Sequence, residues 1–288
     1  MSHVEKAPRV ILAPNPSPLT GTGTNTFLIG RKRLAVIDPG PDLPGHIDAI
    51  MEAADGAEIT HIFVTHAHLD HSPGARLLAR RTGAPVLAFG PPDAGRSRAM
   101  QRLLDQGYQS KGEGIDHDFR PDITLADGEQ IATPEWELTA IHTPGHFGNH
   151  LSFWDGEQVY TGDLIMGWST TLISPPDGDL ADFYRSLQRV NDLGASRLIP
   201  AHGDPVLSPA ARIRELAAHR EERSAQILAQ LHQRPGSAAE LAARIYNISP
   251  ALMPAATRNV LAHLIAFREE ELAGIDGIID DNSVFYKK

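Results

Sequence analysis

Apolar residues fall along the first two thirds of the chain in short runs broken by Gly and Pro. Val10-Ile11-Leu12, Thr26 to Ile29 and Leu34 to Ile37 have strand length and β-branched content, which predicts three strands. Ile59 to Thr65 predicts a fourth, running directly into a histidine-rich segment. Pro73 to Arg81 predicts a helix with Ser72 as N-cap and Pro73 at its first position. Val86 to Phe89 is short and apolar, and Asp93 to Gln106 has helical periodicity. The polar, Gly-bearing stretch from Gly107 to Asp122 predicts a surface loop. Ile123 to Asp163 is strand-rich, with turns at Asp127-Gly128 and Asp155-Gly156. A helix over Leu180 to Leu193 precedes the strand Arg197 to Pro200, which leads into Ala201-His202-Gly203. Mixed strands with helices outside them predict an α/β chain layered as an αββα sandwich.

From Pro209 the pattern changes to Ala-, Leu- and Arg-rich helical periodicity over Ala210 to His232, Ala238 to Tyr246 and Leu252 to Glu271. Pro254 marks the first turn of the last helix. A short hairpin is expected between Gly277-Ile278-Ile279 and Val284-Phe285-Tyr286. Three helices and a β-wing predict a small winged-helix-like domain at 209–288, behind a catalytic domain at 1–208. No internal repeat or low-complexity segment is visible.

Composition removes several classes of function. The chain of 288 residues is long enough for a sizeable core, and no apolar stretch reaches the length of a membrane-spanning helix. The N-terminus has neither an apolar h-region nor a cleavage pattern, so no signal peptide and a cytoplasmic location are expected. Cysteine is absent, which excludes disulfides, thiolate ligands and a thiol nucleophile. The net charge of −10 disfavours non-specific coating of nucleic acid without excluding a positive cleft.

The chemistry concentrates in Thr65-His66-Ala67-His68-Leu69-Asp70-His71. Histidine and carboxylate suit borderline metals such as zinc, and a loop leaving a strand can aim several at one point. His66 and His68 share a face of a continued strand; the chain must turn for Asp70 and His71 to serve a second ion. Such a run arises by chance on the order of a few times per thousand chains of this histidine content. Three further candidates lie at strand ends beside Gly: His146, Asp163 and His202. Each is weak singly, and together in this order they are strong.

With these residues in place, the sequence resembles the metallo-β-lactamase-fold superfamily over roughly residues 8–208. The resemblance implies that one ion takes His66, His68 and His146, the other takes Asp70, His71 and His202, and Asp163 bridges. Asn15-Pro16-Ser17-Pro18, Gly23-Thr24-Asn25-Thr26 and the helical tail narrow it to the metallo-β-lactamase-like protein 2 branch. That branch carries a C-terminal winged-helix domain and includes endoribonucleases and polyketide thioesterases. It implies two divalent ions, zinc with iron or manganese as alternatives, and attack by metal-bound hydroxide. Two ions, two aspartates and a hydroxide leave about one positive charge at the centre. Lactamases of the family that use a cysteine ligand are excluded, and others lack the Asp163 equivalent. True β-lactamase activity is therefore disfavoured.

Asp70 and His150 form the expected catalytic set, His150 as a donor to the leaving group or a contact to substrate. The competing reading makes His150 a strand histidine hydrogen-bonded beside the site. Asp38 is expected either to orient a ligand histidine or simply to form a turn. His142 is read as structural, and His61, His117, His219, His232 and His263 as surface or packing residues. The loop Gly167 to Thr171 is expected to wall the cleft. Arg96, Arg98, Arg102 and Lys111 are candidates for an anionic substrate, with a solvated helix face the favoured alternative.

The leading substrate is a phosphodiester in short single-stranded RNA, and the alternative is a thioester or other carboxylic ester of a small molecule. DNA and membrane partners are not expected, because Arg258 and Arg268 alone do not make a basic recognition helix. A non-enzymatic alternative is a binding module whose tail docks a partner or forms a homodimer while the metals are structural. Structural zinc sites are commonly closed, four-ligand and Cys-rich, which argues against it.

Overall fold

Period-two alternation of apolar residues decides which way each strand faces. The computed structural model describes residues 8–109, 114–280 and 282–288. Arg9–Leu12 (β1), Asn25–Ile29 (β2), Arg33–Ile37 (β3), Glu58–Phe63 (β4), Val86–Ala88 (β5) and Ile123–Thr124 (β6) lie side by side in that order. The first two pairings are antiparallel and the remaining three parallel. Gln130–Ala132 (β7), Glu137–His142 (β8), Leu151–Trp154 (β9), Gln158–Gly162 (β10) and Arg197–Pro200 (β11) form a second sheet in the order β11-β10-β9-β8-β7. Only its β10–β11 pairing is parallel.

Helices Pro44–Ala54 (α1), Pro73–Thr82 (α2), Arg98–Asp105 (α3), Leu180–Asp192 (α4), Pro209–Gln233 (α5), Ala238–Ile245 (α6) and Met253–Glu269 (α7) complete the chain with a C-terminal pair of strands, Ala273–Ile275 (β12) and Phe285–Lys287 (β13). Ala35, Ile37 and Phe63 face Leu138, Ala140 and Phe153 between the sheets. Their neighbours Leu34, Val36 and Ile62 point outward onto Ile47 and Ile50 of α1 and Leu78 of α2. On the second sheet, Tyr160 points inward, while Val159 and Leu198 pack outward on Phe183 and Leu187 of α4 and on Ile213 and Leu216 of α5. The result is the αββα sandwich expected from the sequence. Each fully buried large apolar side chain contributes roughly 1.5–3 kcal/mol relative to exposure.

Helix α5 belongs to two cores. Its first half buries Ile213 and Leu216 against the second sheet, and its second half buries Ile227 and Leu231 among α3, α6, α7 and β12. No helix among the described residues is long and apolar enough to cross a membrane.

Several boundaries differ from the sequence reading. Helix α1 is not among the predicted elements, although Ile47, Ile50, Met51 and Ala54 carry its apolar stripe. Helix α3 begins only at Arg98, where the Ser97 hydroxyl accepts the Met100 N–H, so Asp93 to Ser97 is not helical. Within the stretch read as a surface loop, Asp116 and Phe119 are buried. Backbone bonds Leu69 N–H to Gly114 O and Asp116 N–H to Ala67 O tie that stretch over the histidine run. The terminal hairpin pairs Ala273–Ile275 with Phe285–Lys287, and Gly277 to Ile279 lies in its connection. Gly274 and Ile275 register against Tyr286 and Phe285, and Phe285 and Ala273 are buried in the helical core.

Candidate metal centre

All the histidines and aspartates singled out as metal candidates emerge from one rim of the sandwich, just beyond the ends of β4, β8, β10 and β11. After β4 the chain bends at Thr65 and His66 and then turns: both His71 N–H and Ser72 N–H donate to the His68 carbonyl at 3.0 Å. This turn separates the pair His66 and His68 from the pair Asp70 and His71. At the end of β10, Gly162 sits at φ +48, and a Cβ there would lie 2.6 Å from His150 Nε2. Only glycine therefore brings Asp163 this close to the rings behind it.

Three ring nitrogens converge in the first cluster. His68 Nδ1 lies 2.9 Å from His66 Nε2 and 3.1 Å from His146 Nε2. Their outer nitrogens determine the tautomers. His146 Nδ1–H donates to the Leu172 carbonyl at 2.7 Å. Thr65 Oγ1 donates its proton to Asp38 Oδ2, so it must accept from His66 Nδ1–H at 3.0 Å. Two bare Nε2 lone pairs thus face one His68 nitrogen, which can donate to only one of them. A shared cation satisfies all three.

The second cluster joins Asp70, His71 and His202. Asp70 Oδ2 lies 3.3 Å from His71 Nε2 and 3.2 Å from His202 Nε2. Here too the outer nitrogens are engaged: His71 Nδ1–H donates to Asp38 Oδ2 at 2.9 Å, and His202 Nδ1–H to the Gly23 carbonyl at 3.0 Å. Asp163 stands between the clusters. Its Oδ1 is 3.2 Å from His202 Nε2 and 3.5 Å from His71 Nε2, while Oδ2 is 3.6 Å from His146 Nε2. His71 Nε2 and Asp163 Oδ1 are buried without a hydrogen-bond partner. Buried polar atoms are rarely left so, and a cation between them fits both. The residue sets that could hold an ion are His66, His68 and His146; His66, His71 and Asp163; and Asp70, His71 and His202.

The electrostatics differ between the clusters. Burial, then neighbouring rings, holds His66 well below the usual histidine range, and burial with His146 beside it brings His68 to about 3. Neutral imidazoles are the ligand form. Burial would also lower His202, but the Asp163 and Asp70 carboxylates beside it outweigh that and push it up to about 10. Burial would raise Asp70 and Asp163, and the adjacent His71 and His202 instead hold both well below the ordinary carboxylate range. The second cluster therefore demands positive charge, which a divalent ion supplies without protons.

His150 is fully buried behind Asp163. Its Nε2 accepts the Asp163 backbone N–H at 3.2 Å, and its Nδ1–H donates to Thr143 Oγ1 at 3.0 Å. Both ring nitrogens are engaged, so His150 holds the Asp163 backbone and has no nitrogen free for a leaving group. Asp38 is both a turn residue, at φ 50, and the partner of His71. Its carboxylate also accepts the Thr65 N–H and hydroxyl, each at 2.7 Å. His142 donates through Nε2–H to the Gly148 carbonyl at 2.9 Å and stacks on Phe89, away from the clusters.

Arg96 pairs with Asp177 and Arg102 with Glu269. Arg98 lies at the start of α3, and Lys111 lies outside the described residues. Trp168, in the loop after Asp163, is half exposed and lies over Gly203, next to His202. Sequence reasoning missed Thr65, Leu172 and Gly23. Two of these act through backbone carbonyls, which carry no sequence signal; Thr65 was visible only as a neighbour of His66.

The chain matches the metallo-beta-lactamase superfamily over residues 19–202. It is similar to a beta-lactamase-like protein 2 homolog of Drosophila melanogaster, 29% identical over 96% of this chain and 93% of the relative. An atrochrysone carboxyl ACP thioesterase of Aspergillus chevalieri is 30% identical, covering 78% of this chain and 67% of its own. Among solved structures, a metallo-beta-lactamase family protein from Thermus thermophilus superposes with a TM-score of 0.78 at 26% identity, covering 98% of both chains.

Proposed function

The chain belongs to the metallo-β-lactamase superfamily of metal-dependent hydrolases, and we propose that its site holds two divalent ions and cleaves an acyl thioester or related carboxylic ester. The observation that carries the two-ion reading is Asp163, whose oxygens face different clusters, 3.2 Å from His202 and 3.6 Å from His146. In this reading one ion takes His66, His68 and His146, the other takes Asp70, His71 and His202, and Asp163 is shared. Zinc suits this donor set, with iron and manganese as alternatives. When bound, the ions supply a nucleophilic water at neutral pH and an electrophilic clamp on the bond under attack.

The remaining work falls to the chain's own groups. Asp38, Thr65, Leu172 and Gly23 keep the Nδ1 protons of His71, His66, His146 and His202 turned outward. Asp70, with 26% of its side chain exposed against 10% for Asp163, is the carboxylate assigned to meet the attacking water. His150 is assigned to positioning Asp163 rather than to proton donation.

An acyl substrate is favoured over the phosphodiester expected from sequence because two of the arginines considered for an anionic substrate already have acidic partners. Arg96 is held by Asp177 and Arg102 by Glu269, and the chain is acidic overall. Leu69, between two ligand candidates, and Trp168 are each 50% exposed and offer apolar surface to an acyl body. The thioesterase relative supports the same bond. Metal-loaded protein is to be incubated with acyl thioesters, single-stranded RNA and a chromogenic lactam, with Asp70→Ala as control. Thioester turnover that disappears in the control is expected. RNA cleavage lost in the control, without thioester turnover, replaces the acyl reading with the phosphodiester one.

A further inference from the structure

Helix α5 carries Arg212, Leu216 and Arg220 at intervals of four, hence on one face. That face meets the loop that follows Asp163. Arg212 donates to the carbonyls of Met166 and Ser169, at 3.1 and 2.5 Å. Arg220, 2% exposed, donates to the Thr171 carbonyl and, at 2.9 Å, to Asn259 Oδ1 on α7. Asn259 Oδ1 also accepts the Ile173 N–H at 3.0 Å. Thr171 and Ile173 are thus gripped on either side of Leu172, whose carbonyl receives His146 Nδ1–H. The Thr171 hydroxyl in turn donates to the Asp163 carbonyl.

A guanidinium taken fully out of water costs several kcal/mol unless its donors are satisfied. Arg220 has no carboxylate partner among the described residues; its acceptors are the Thr171 carbonyl and the Asn259 amide, with the Phe183 ring 5.6 Å away. A methionine would fill the same space without that desolvation. What the guanidinium adds is direction: it fixes two oxygens of one short path, and the path ends on His146 and Asp163.

We propose that Arg220 and Asn259 are positioning residues for the metal centre, acting through Thr171 to Ile173 on His146 and Asp163. Helices α5 and α7 then set the geometry of two ligands through the loop between them. The inference rests on the reading of these residues as metal ligands.

The test uses full-length protein loaded with Co2+ alone, comparing wild type, Asn259→Ala, Asn259→Asp, Arg220→Met and Arg220→Lys. Cobalt affinity is measured by competition with a chelator, the visible absorption band reports ligand geometry, and thermal unfolding of the metal-free proteins checks folding. Asn259→Ala is expected to weaken cobalt binding by about tenfold or more and to alter the band. Asn259→Asp keeps the oxygen that receives both bonds and is expected to restore affinity and band. Arg220→Lys is expected to lie between wild type and Arg220→Met. Equal affinity and an unchanged band in Asn259→Ala and Arg220→Met overturn the inference, as does a loss in Asn259→Asp equal to that in Asn259→Ala. Wild type that binds no cobalt overturns the metal reading itself, so the two failures are separable.

Discussion

Asp38 receives the Nδ1 proton of His71 at 2.9 Å while the same carboxylate accepts the Thr65 N–H and hydroxyl. One buried side chain therefore orients His71 directly and His66 through Thr65. Both clusters depend on it.

Replacing Asp38 by Asn puts an amide N–H₂ where only donors point. With the amide nitrogen at the Oδ1 position the Thr65 N–H loses its acceptor, and at the Oδ2 position the nitrogen meets the Thr65 hydroxyl and His71 Nδ1–H, so either orientation weakens the support of a ligand ring. The expected outcome for Asp38→Asn is metal affinity lower by about 10–100-fold, read by chelator competition. Affinity equal to wild type would mean that Asp38 is only a turn former.

Asp163→Ala removes a carboxylate whose two oxygens face different clusters. We expect bound metal to fall from about two equivalents to one or fewer and hydrolysis to be lost, with the circular dichroism spectrum unchanged. Elemental analysis after gel filtration decides the matter, and full metal content with full activity rejects the shared-ligand assignment.

The position of His150 makes a claim about pH. Burial holds its ring well below the ordinary histidine range, and its Nε2 is an acceptor from the Asp163 N–H. A general acid would contribute a limb to the kcat–pH profile. His150→Gln, which keeps an acceptor, is expected to lower kcat without removing a limb. Disappearance of a limb in the variant would restore His150 as the acid.

His263, buried in α7 beside Ser224, is pushed down to about 3 by burial and then by Arg220 and Arg223. The unfolded chain takes up this proton as pH falls below about 6.5, whereas the folded chain does not until near 3. The folded state therefore loses stability between these values, at up to about 1.4 kcal/mol per pH unit. His263→Gln cannot take up the proton. Urea midpoints at pH 7 and pH 5 should lie closer together in the variant than in wild type; an equal gap rejects the assignment.

The strand positions and ligand candidates are legible in the sequence because they are local properties. His66 to His71 are contiguous, and Gly beside His146, Asp163 and His202 marks strand ends without any knowledge of packing. The αββα layering follows from alternation, since Leu34 and Val36 must face away from Ala35 and Ile37 in any strand. Even so, α1 is absent from the sequence reading although its apolar stripe is present, and the hairpin is expected at Gly277 to Ile279 because Ile278 and Ile279 look β-like. Burial of Phe285 and Ala273 in the helical core selects the other register.

By itself, then, the sequence determined which side chains could bind metal and in what order they arrive. Only the tertiary structure decided which nitrogen each ring presents, that Asp163 lies between two clusters, and that His150 stands behind it. It also decided that helices α5 and α7 reach the loop beside His146. The physical reason is that ring orientation is set by acceptors such as the Leu172 and Gly23 carbonyls and the Asp38 carboxylate. These are distant in sequence, and two of them are backbone atoms that every residue possesses. They become specific only when packing brings them within hydrogen-bond reach.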